Sequence, residues 1–156
     1  MICFERVRYL REEHELTQKI IANILGVDKS TYAAWERGRD LFPLKRLISI
    51  ANYYGVSLDF ITSQSEKRTY KDLKENINPE LLKKRIKEVR KENGYTQERL
   101  AEALNTTHSA ISTYENGHLV MPLILLYQLS SLCHISMDYL LGRTNHKYLE
   151  KELVQS

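Results

Sequence analysis

The chain has 156 residues, a length that fits one domain of ordinary size or two small ones. Hydrophobic residues make up 42% of it, which favours a globular protein over a disordered one, and six glycines and three prolines are too few for a turn-rich β architecture. The formal net charge of +3 permits nucleic-acid binding without indicating it, because a mixed solvated surface gives the same value.

An internal repeat organises the whole chain. When the sequence is shifted so that Arg6 falls on Arg85, it aligns with itself without a gap. Identical residues recur along the overlap: Arg6/Arg85, Arg11/Arg90, Thr17/Thr96, Gln18/Gln97, Glu36/Glu115, Ser57/Ser136 and Asp59/Asp138. One register held through a whole domain indicates a duplicated domain. We predict a first copy over 1–63, a linker over 64–78, a second copy over 79–143 and a tail over 144–156.

Each copy is predicted to contain five helices, so the expected fold class is all-α. The first helix, over about residues 2–14, has Val7 and Leu10 at the spacing of an amphipathic helix. In the second copy, Asn78 and Pro79 predict a helix cap followed by proline at the first helical position.

Residues with short polar side chains mark the starts of the later helices. The predicted N-caps of helices two, three and five are Thr17, Asp28 and Ser57 in the first copy, and Thr96, Thr107 and Ser136 in the second. The turn after helix two carries Gly26 or Asn105, the two residue types that most readily adopt a left-handed conformation. Helix four opens at Pro43 or Pro122.

The segments outside the two copies give weaker signals. Tyr70, Leu73 and Ile77 have helical spacing, so we expect a partly helical linker, with a flexible tether as the alternative. In the tail, Leu149 and Leu153 lie four residues apart and predict one short helix.

Two segments carry a family resemblance. They read TQKIIANILGVDKSTYAAWERG and TQERLAEALNTTHSAISTYENG, and each continues into a proline, an apolar helix and a Ser-x-Asp-aromatic segment. Both copies resemble, over nearly their whole length, the lambda and 434 repressor and Cro family of XRE-type helix-turn-helix regulators. Asn105 in place of the turn glycine and a negative charge at Asp28 are the departures. The resemblance implies a five-helix fold and sequence-specific binding of double-stranded DNA.

The resemblance also implies which residues touch DNA. The third helix of this fold lies in the major groove, and its N-terminal end reaches the bases. The implied base readers are Lys29, Ser30, Ala33 and Ala34 in the first copy, and His108, Ser109, Ser112 and Thr113 in the second. The resemblance implies that Gln18 and Gln97, at the start of helix two, bind backbone phosphate. From their position after helix three, we expect Arg37, Arg39, Asn116 and His118 to reach phosphate as well. The remaining predicted DNA-binding residues, at helix starts, are Thr17, Thr96 and Thr107.

Other functional classes find little support in the sequence. Cys3 and Cys133 share no short spacing, so we expect buried free thiols and neither a disulfide nor a metal site. No nucleophile, base and orienting group recur together, so we expect no enzyme and no cofactor. Glu36 and Glu115 are interpreted as partners within their own domains. The charged start and the lack of a long apolar run predict a cytoplasmic protein with no membrane partner.

The leading hypothesis is a transcriptional regulator of bacterial or phage type, acting as a repressor. The alternative is a protein-interaction or antitoxin-type module. One copy would then serve homodimerisation, or would dock a protein antirepressor or a toxin.

Overall fold

The computed structural model describes residues 2–150 and divides the chain into two compact units, Met1–Thr69 and Tyr70–Ser156. The first unit contains α1 (Glu5–Glu13), α2 (Gln18–Leu25), α3 (Lys29–Glu36), α4 (Leu44–Tyr54) and α5 (Leu58–Ile61). The second contains α6 (Pro79–Glu92), α7 (Gln97–Ala103), α8 (His108–Glu115), α9 (Leu123–Cys133) and α10 (Met137–Leu140). The all-α prediction, with five helices in each copy, is confirmed.

Polar side chains begin most of these helices as the sequence predicts. The side chains of Thr17, Ser57, Thr96, Thr107 and Ser136 each accept a hydrogen bond from the backbone N–H three residues further on. Asn78 does the same for α6, with Pro79 as its first residue. Asp28 occupies the N-cap position of α3, as the sequence predicts, but its carboxylate accepts no such bond. An exposed carboxylate is instead solvated by water.

The turn between the second and third helices needs a left-handed residue in both units. Gly26 has φ +69° and Asn105 has φ +53°, as the sequence predicts. This turn lets each pair of helices pack against one another and presents the start of α3 or α8 at the surface.

Apolar faces of the helices form a separate core in each unit. Val7, Ile21, Tyr32, Leu47 and Ile61 are fully buried in the first unit, and Ile86, Leu100, Ile111, Leu126 and Leu140 in the second. Trp35 is buried, whereas Tyr114 at the matched position is only half-buried. Cys133 is buried and Cys3 is half-buried, and both are free thiols.

The repeated unit extends past its fifth helix. We call residues 62–69 and 141–148 the C-terminal straps. Arg6 Nη1 donates to the carbonyl oxygens of Phe60 and Ser65 at 2.8 and 2.6 Å, and Ser57 N donates to that of Arg68 at 2.7 Å. These bonds hold the first strap against α1 and α5.

The second strap repeats this arrangement. Arg85 Nη1 donates to the carbonyl oxygens of Tyr139 and Thr144 at 2.7 and 2.8 Å, and Ser136 N donates to that of Lys147 at 2.9 Å. Backbone carbonyls accept these bonds whatever side chain is attached, so the aligned segments QSEKRT and RTNHKY share the geometry without one identical residue.

The predicted helix in the linker is absent, because residues 64–78 form turns and extended chain. Two of its backbone groups donate to residues just after α10: Lys74 N donates to Arg143 O at 2.7 Å, and Asn78 N donates to Leu141 O at 2.9 Å. Tyr70 is buried and its ring stacks on His146, with 4.8 Å between centroids. Residues 70–78 therefore belong to the second unit.

Asp72 anchors this same segment. Its carboxylate accepts hydrogen bonds from Thr144 Oγ1 at 2.5 Å and from Asn145 N at 2.8 Å. The bond from Thr144, with that from Asn145, lowers the pKa of Asp72.

The predicted helix in the tail is also wrong for residues 146–150. Tyr148 forms an isolated antiparallel bridge with Ile135, since the second strap runs extended along the end of α9. Leu153 lies outside the described residues. Over residues 2–150, each helix is too short or too polar to cross a bilayer.

Candidate nucleic-acid interface

The predicted contact residues of the first unit form one surface. Seven of the eight line a single shallow groove of about 480 Å³: Gln18, Lys29, Ser30, Ala33, Ala34, Arg37 and Arg39. Thr17 lies just before α2, where it caps the helix and is exposed. The start of α2, the outer face of α3 and the turn after α3 thus contribute to one site.

The groove is lined by several positively charged side chains. Lys29, Arg37 and Arg39 are exposed and line it, so three cations share one concave surface. Ala33 and Ala34 are half-buried and give its floor an apolar character. Such a surface offers phosphate-binding groups around a strip with few hydrogen-bonding side chains.

The predicted residues of the second unit occupy the matching face of α8. Thr107, His108, Ser109 and Asn116 are exposed, and Ser112 and Thr113 are half-buried. Thr113 Oγ1 donates to the Ser109 carbonyl at 2.9 Å, and Asn116 Nδ2 donates to Ser112 Oγ at 3.4 Å. Several of these polar groups are therefore already engaged within α8.

The two faces differ in charge at matched positions. Lys29 is replaced by His108, Arg37 by Asn116 and Arg39 by His118; Lys19, near the start of α2, is replaced by Glu98. The first face carries permanent cations at positions where the second carries neutral or titratable groups.

A buried ion pair supports each face from behind. Arg11 binds Glu36 through two hydrogen bonds of 2.9 Å, and the Glu36 side chain is only 3% exposed. Burial is the largest single influence and raises the pKa of Glu36, but the hydrogen bonds and positive charge of Arg11, together with the other hydrogen-bond donors around the carboxylate, outweigh it, and the pKa lies below its ordinary value. Gln18 Nε2 also donates to this carboxylate at 3.3 Å. The interpretation of Glu36 as a partner within its own domain is confirmed.

The second unit repeats the pair. Arg90 binds Glu115 at 2.7 and 2.9 Å and also donates to the Tyr95 carbonyl at 2.8 Å. Gln97 Nε2 donates to Glu115 at 3.3 Å. Sequence reasoning did not connect these residues, although the identity of Arg, Gln and Glu at matched positions of both copies was the signal that pointed to them.

One contact exists only in the second unit. His108 Nε2 lies 2.8 Å from Gln97 Oε1, which joins the start of α8 to the start of α7. Its counterpart in the first unit is a lysine, Lys29, so no comparison between the copies pointed to it.

Comparison with known proteins agrees with this geometry. A helix-turn-helix family profile matches the chain twice, over residues 7–61 and 86–140. The cryptic phage CTXphi transcriptional repressor RstR of Vibrio cholerae is 38% identical over 72 residues, which cover 46% of this chain and 65% of that protein. The transcriptional regulator ImmR of Bacillus subtilis is 44% identical over 62 residues, covering 40% of this chain and 49% of ImmR.

A further relative is matched over more of its length. The Bacillus subtilis helix-turn-helix-type regulator YobD is 33% identical over 88 residues, which cover 56% of this chain and 70% of that protein. The chain thus spans about half to about two thirds of the length of these relatives.

Proposed function

Because this chain belongs to the helix-turn-helix family, we propose that it is a transcriptional regulator that binds double-stranded DNA sequence-specifically through α3 and α8. The observation that carries this proposal is the groove in which seven predicted contact residues, three of them cations, lie together. The major groove of B-DNA admits one α-helix and presents a distinct pattern of donors and acceptors for each base pair.

The first unit combines two kinds of contact. Lys29 and Ser30, at the start of α3, face the base edges, and Ala33 packs against a thymine methyl group. Arg37 and Arg39 neutralise phosphates on either side of the groove, which fixes the register of the helix on the duplex.

Gln18 has a distinct place in this scheme. It stands at the start of α2, where free backbone N–H groups attract an anion, and its amide is held by Glu36 at 3.3 Å. A side chain held in place loses less conformational entropy on binding. We assign Gln18 to a backbone phosphate.

Repression follows from occupancy of a control site. A protein bound in the major groove of a promoter excludes the transcription machinery from the same DNA, and RstR, one of the relatives, is named a transcriptional repressor. The proposal accordingly places the protein in the cytoplasm, with DNA as its partner and with no catalytic step or cofactor.

Two units on one chain change the form of the DNA site. Once one unit has bound, the other is held at a high effective concentration, so a single chain binds two adjacent half-sites more tightly than either unit binds one. The two reading helices carry different residues, so we propose an asymmetric site for the single chain. A homodimer would instead present four reading helices to a longer palindrome.

The second unit also supports an alternative function. Its face lacks the three cations of the first, and Leu119 and Val120, just after α8, are 64% and 47% exposed. An exposed apolar pair beside a face without those cations suits contact with a protein. In this alternative the second unit serves dimerisation or docks an antirepressor or toxin, and the first unit alone holds DNA.

Footprinting combined with the mass of the complex separates these functions. The full chain is bound to a duplex chosen from a random pool, and the protected length is compared between the parent and an Asn116→Asp, Ser109→Asp double variant that repels phosphate at the second face. A protected region that shortens in the variant supports tandem reading. An unchanged footprint and affinity support the interaction module, and a parent that protects no duplex contradicts both.

A further inference from the structure

A chain of hydrogen bonds runs from the interior of the second unit to its proposed reading face. Arg90 binds Glu115, Glu115 accepts from Gln97 Nε2 at 3.3 Å, and Gln97 Oε1 lies 2.8 Å from His108 Nε2. Arg90 and Glu115 are buried, whereas His108 is exposed at the start of α8. The hydrogen-bonded series thus links a buried ion pair to an exposed side chain on the proposed reading face.

The polarity of each link follows from the one before it. A carboxylate paired with arginine only accepts hydrogen bonds, so Gln97 must present its amide nitrogen to Glu115. Its carbonyl oxygen then faces His108, and an oxygen of this kind only accepts. The Nε2 atom of His108 must therefore carry a hydrogen in both the neutral and the protonated ring.

This fixes the chemistry of the other ring nitrogen. Nδ1 of His108 makes no hydrogen bond within residues 2–150 and belongs to an exposed side chain. In the neutral ring it is an acceptor, and in the protonated ring it is a donor. A single atom on the reading face thus has two opposite hydrogen-bonding characters.

We propose that His108 is a specificity-determining residue whose base preference reverses with protonation. Neutral Nδ1 selects the exocyclic amino group of adenine or cytosine, the donors of the major groove. Protonated Nδ1 selects an acceptor, O6 or N7 of guanine, O4 of thymine or N7 of adenine, so the reversal is sharpest between cytosine and either guanine or thymine. Gln97 is the positioning residue that sets this polarity. The inference rests on the proposed function, since it concerns the same face of α8.

The matched position in the first unit lacks this property. Lys29 is a donor in its charged form and has no acceptor, so it selects guanine without reversing. The first unit of the protein therefore serves as an internal control. A pH-sensitive base preference is expected in the half-site bound by α8 and not in the half-site bound by α3.

Other charged groups near α8 affect affinity more than preference. On α7, the charged groups are Glu98, Arg99 and Glu102. On α6, Arg90 is paired with Glu115, and the side chain of Lys83 lies beside Gly117, just after the far end of α8. His118 also lies in this region, but it follows the helix and is assigned to phosphate. Its protonation would strengthen binding to all sequences alike.

The test uses the full chain and a panel of duplexes in which one base pair of the α8 half-site is varied through all four identities. Affinities are measured at about pH 5.5 and about pH 8, on either side of the range in which histidine titrates. We expect a preference of about fivefold or more for an amino-group donor at the higher pH, reversed to an acceptor at the lower pH.

Four variants make the result specific. His108→Lys should prefer the acceptor at both pH values, because lysine only donates. His118→Asn should keep the reversal and lose only the general gain in affinity at low pH. Gln97→Ala should reduce the reversal, because either ring nitrogen can then carry the hydrogen, whereas Gln18→Ala should leave it intact.

The outcomes distinguish a failure of this inference from a failure of the proposed function. Specific DNA binding with the same base preference at both pH values overturns the proposed role of His108 but does not contradict the proposed function as a transcriptional regulator. A reversal that persists in His108→Lys assigns it to another group and also overturns the inference. No specific binding to any duplex contradicts the proposed function itself.

Discussion

Giving the first reading face the residues of the second is expected to weaken the salt dependence of DNA binding. The triple variant Lys29→His, Arg37→Asn, Arg39→His removes three exposed cations that line one groove. Each phosphate contact contributes about 0.9 to the slope of log affinity against log salt, so the slope should fall by about 2.7. Between about 50 and 200 mM salt, the parent should therefore lose about 40-fold more affinity than the variant.

Fluorescence anisotropy titrations of the full chain on one duplex, at several salt concentrations and about pH 8, measure both slopes. The reciprocal variant His108→Lys, Asn116→Arg, His118→Arg is the matched control and should steepen the slope by a similar amount. If the first variant stays folded by circular dichroism and keeps the parental slope to within about 0.5, the three cations do not contact phosphate.

Three further expectations concern the fold. Gly142 and Gly94 both have positive φ, but only at Gly142 would a Cβ lie 2.6 Å from a neighbouring side-chain carbon. Urea unfolding should show that Gly94→Ala lowers the free energy of unfolding by about 1–2 kcal/mol and that Gly142→Ala lowers it by more. Equal losses would contradict the packing of residues 70–78. The lowered pKa of Glu36 means that the folded state binds this proton more weakly than the unfolded state, so the contribution of this group is present at neutral pH and lost on acidification below about 4.5. Glu36→Gln should flatten that acid dependence in thermal melts, and an unchanged pH profile would exclude this group as its source. Expressed separately, 1–69 and 70–156 should each be helical, and an unfolded fragment would show that its core needs the other.

The helices could be predicted from the sequence because their signals are local. Caps such as Thr17 and Thr96 act on residues three positions away, and the apolar spacing of each helix reflects a face buried within the same unit. The C-terminal straps and residues 70–78 could not be predicted in this way. Their partners, such as Asp72 and Thr144, lie far apart in sequence, and many of their bonds join backbone atoms.

The candidate site likewise contains residues that could be predicted from the sequence and contacts that could not. The exposed face of α3 follows from helical register once Trp35 is placed in the core, so the residues that line the groove were predictable. The link from Glu115 through Gln97 to His108 depends on the directions of three side chains on two helices. Neither spacing nor residue type determines those directions.

Selection of bound sequences from a random pool of duplexes tests the central claim most directly. The parent should enrich one asymmetric site with two unlike halves. The Lys29→Ala, Ser30→Ala variant should select sequences that lack one half, and the His108→Ala, Ser109→Ala variant should select sequences that lack the other. Enrichment of no sequence, or selected sites that stay the same in both variants, would contradict the account of DNA reading by α3 and α8.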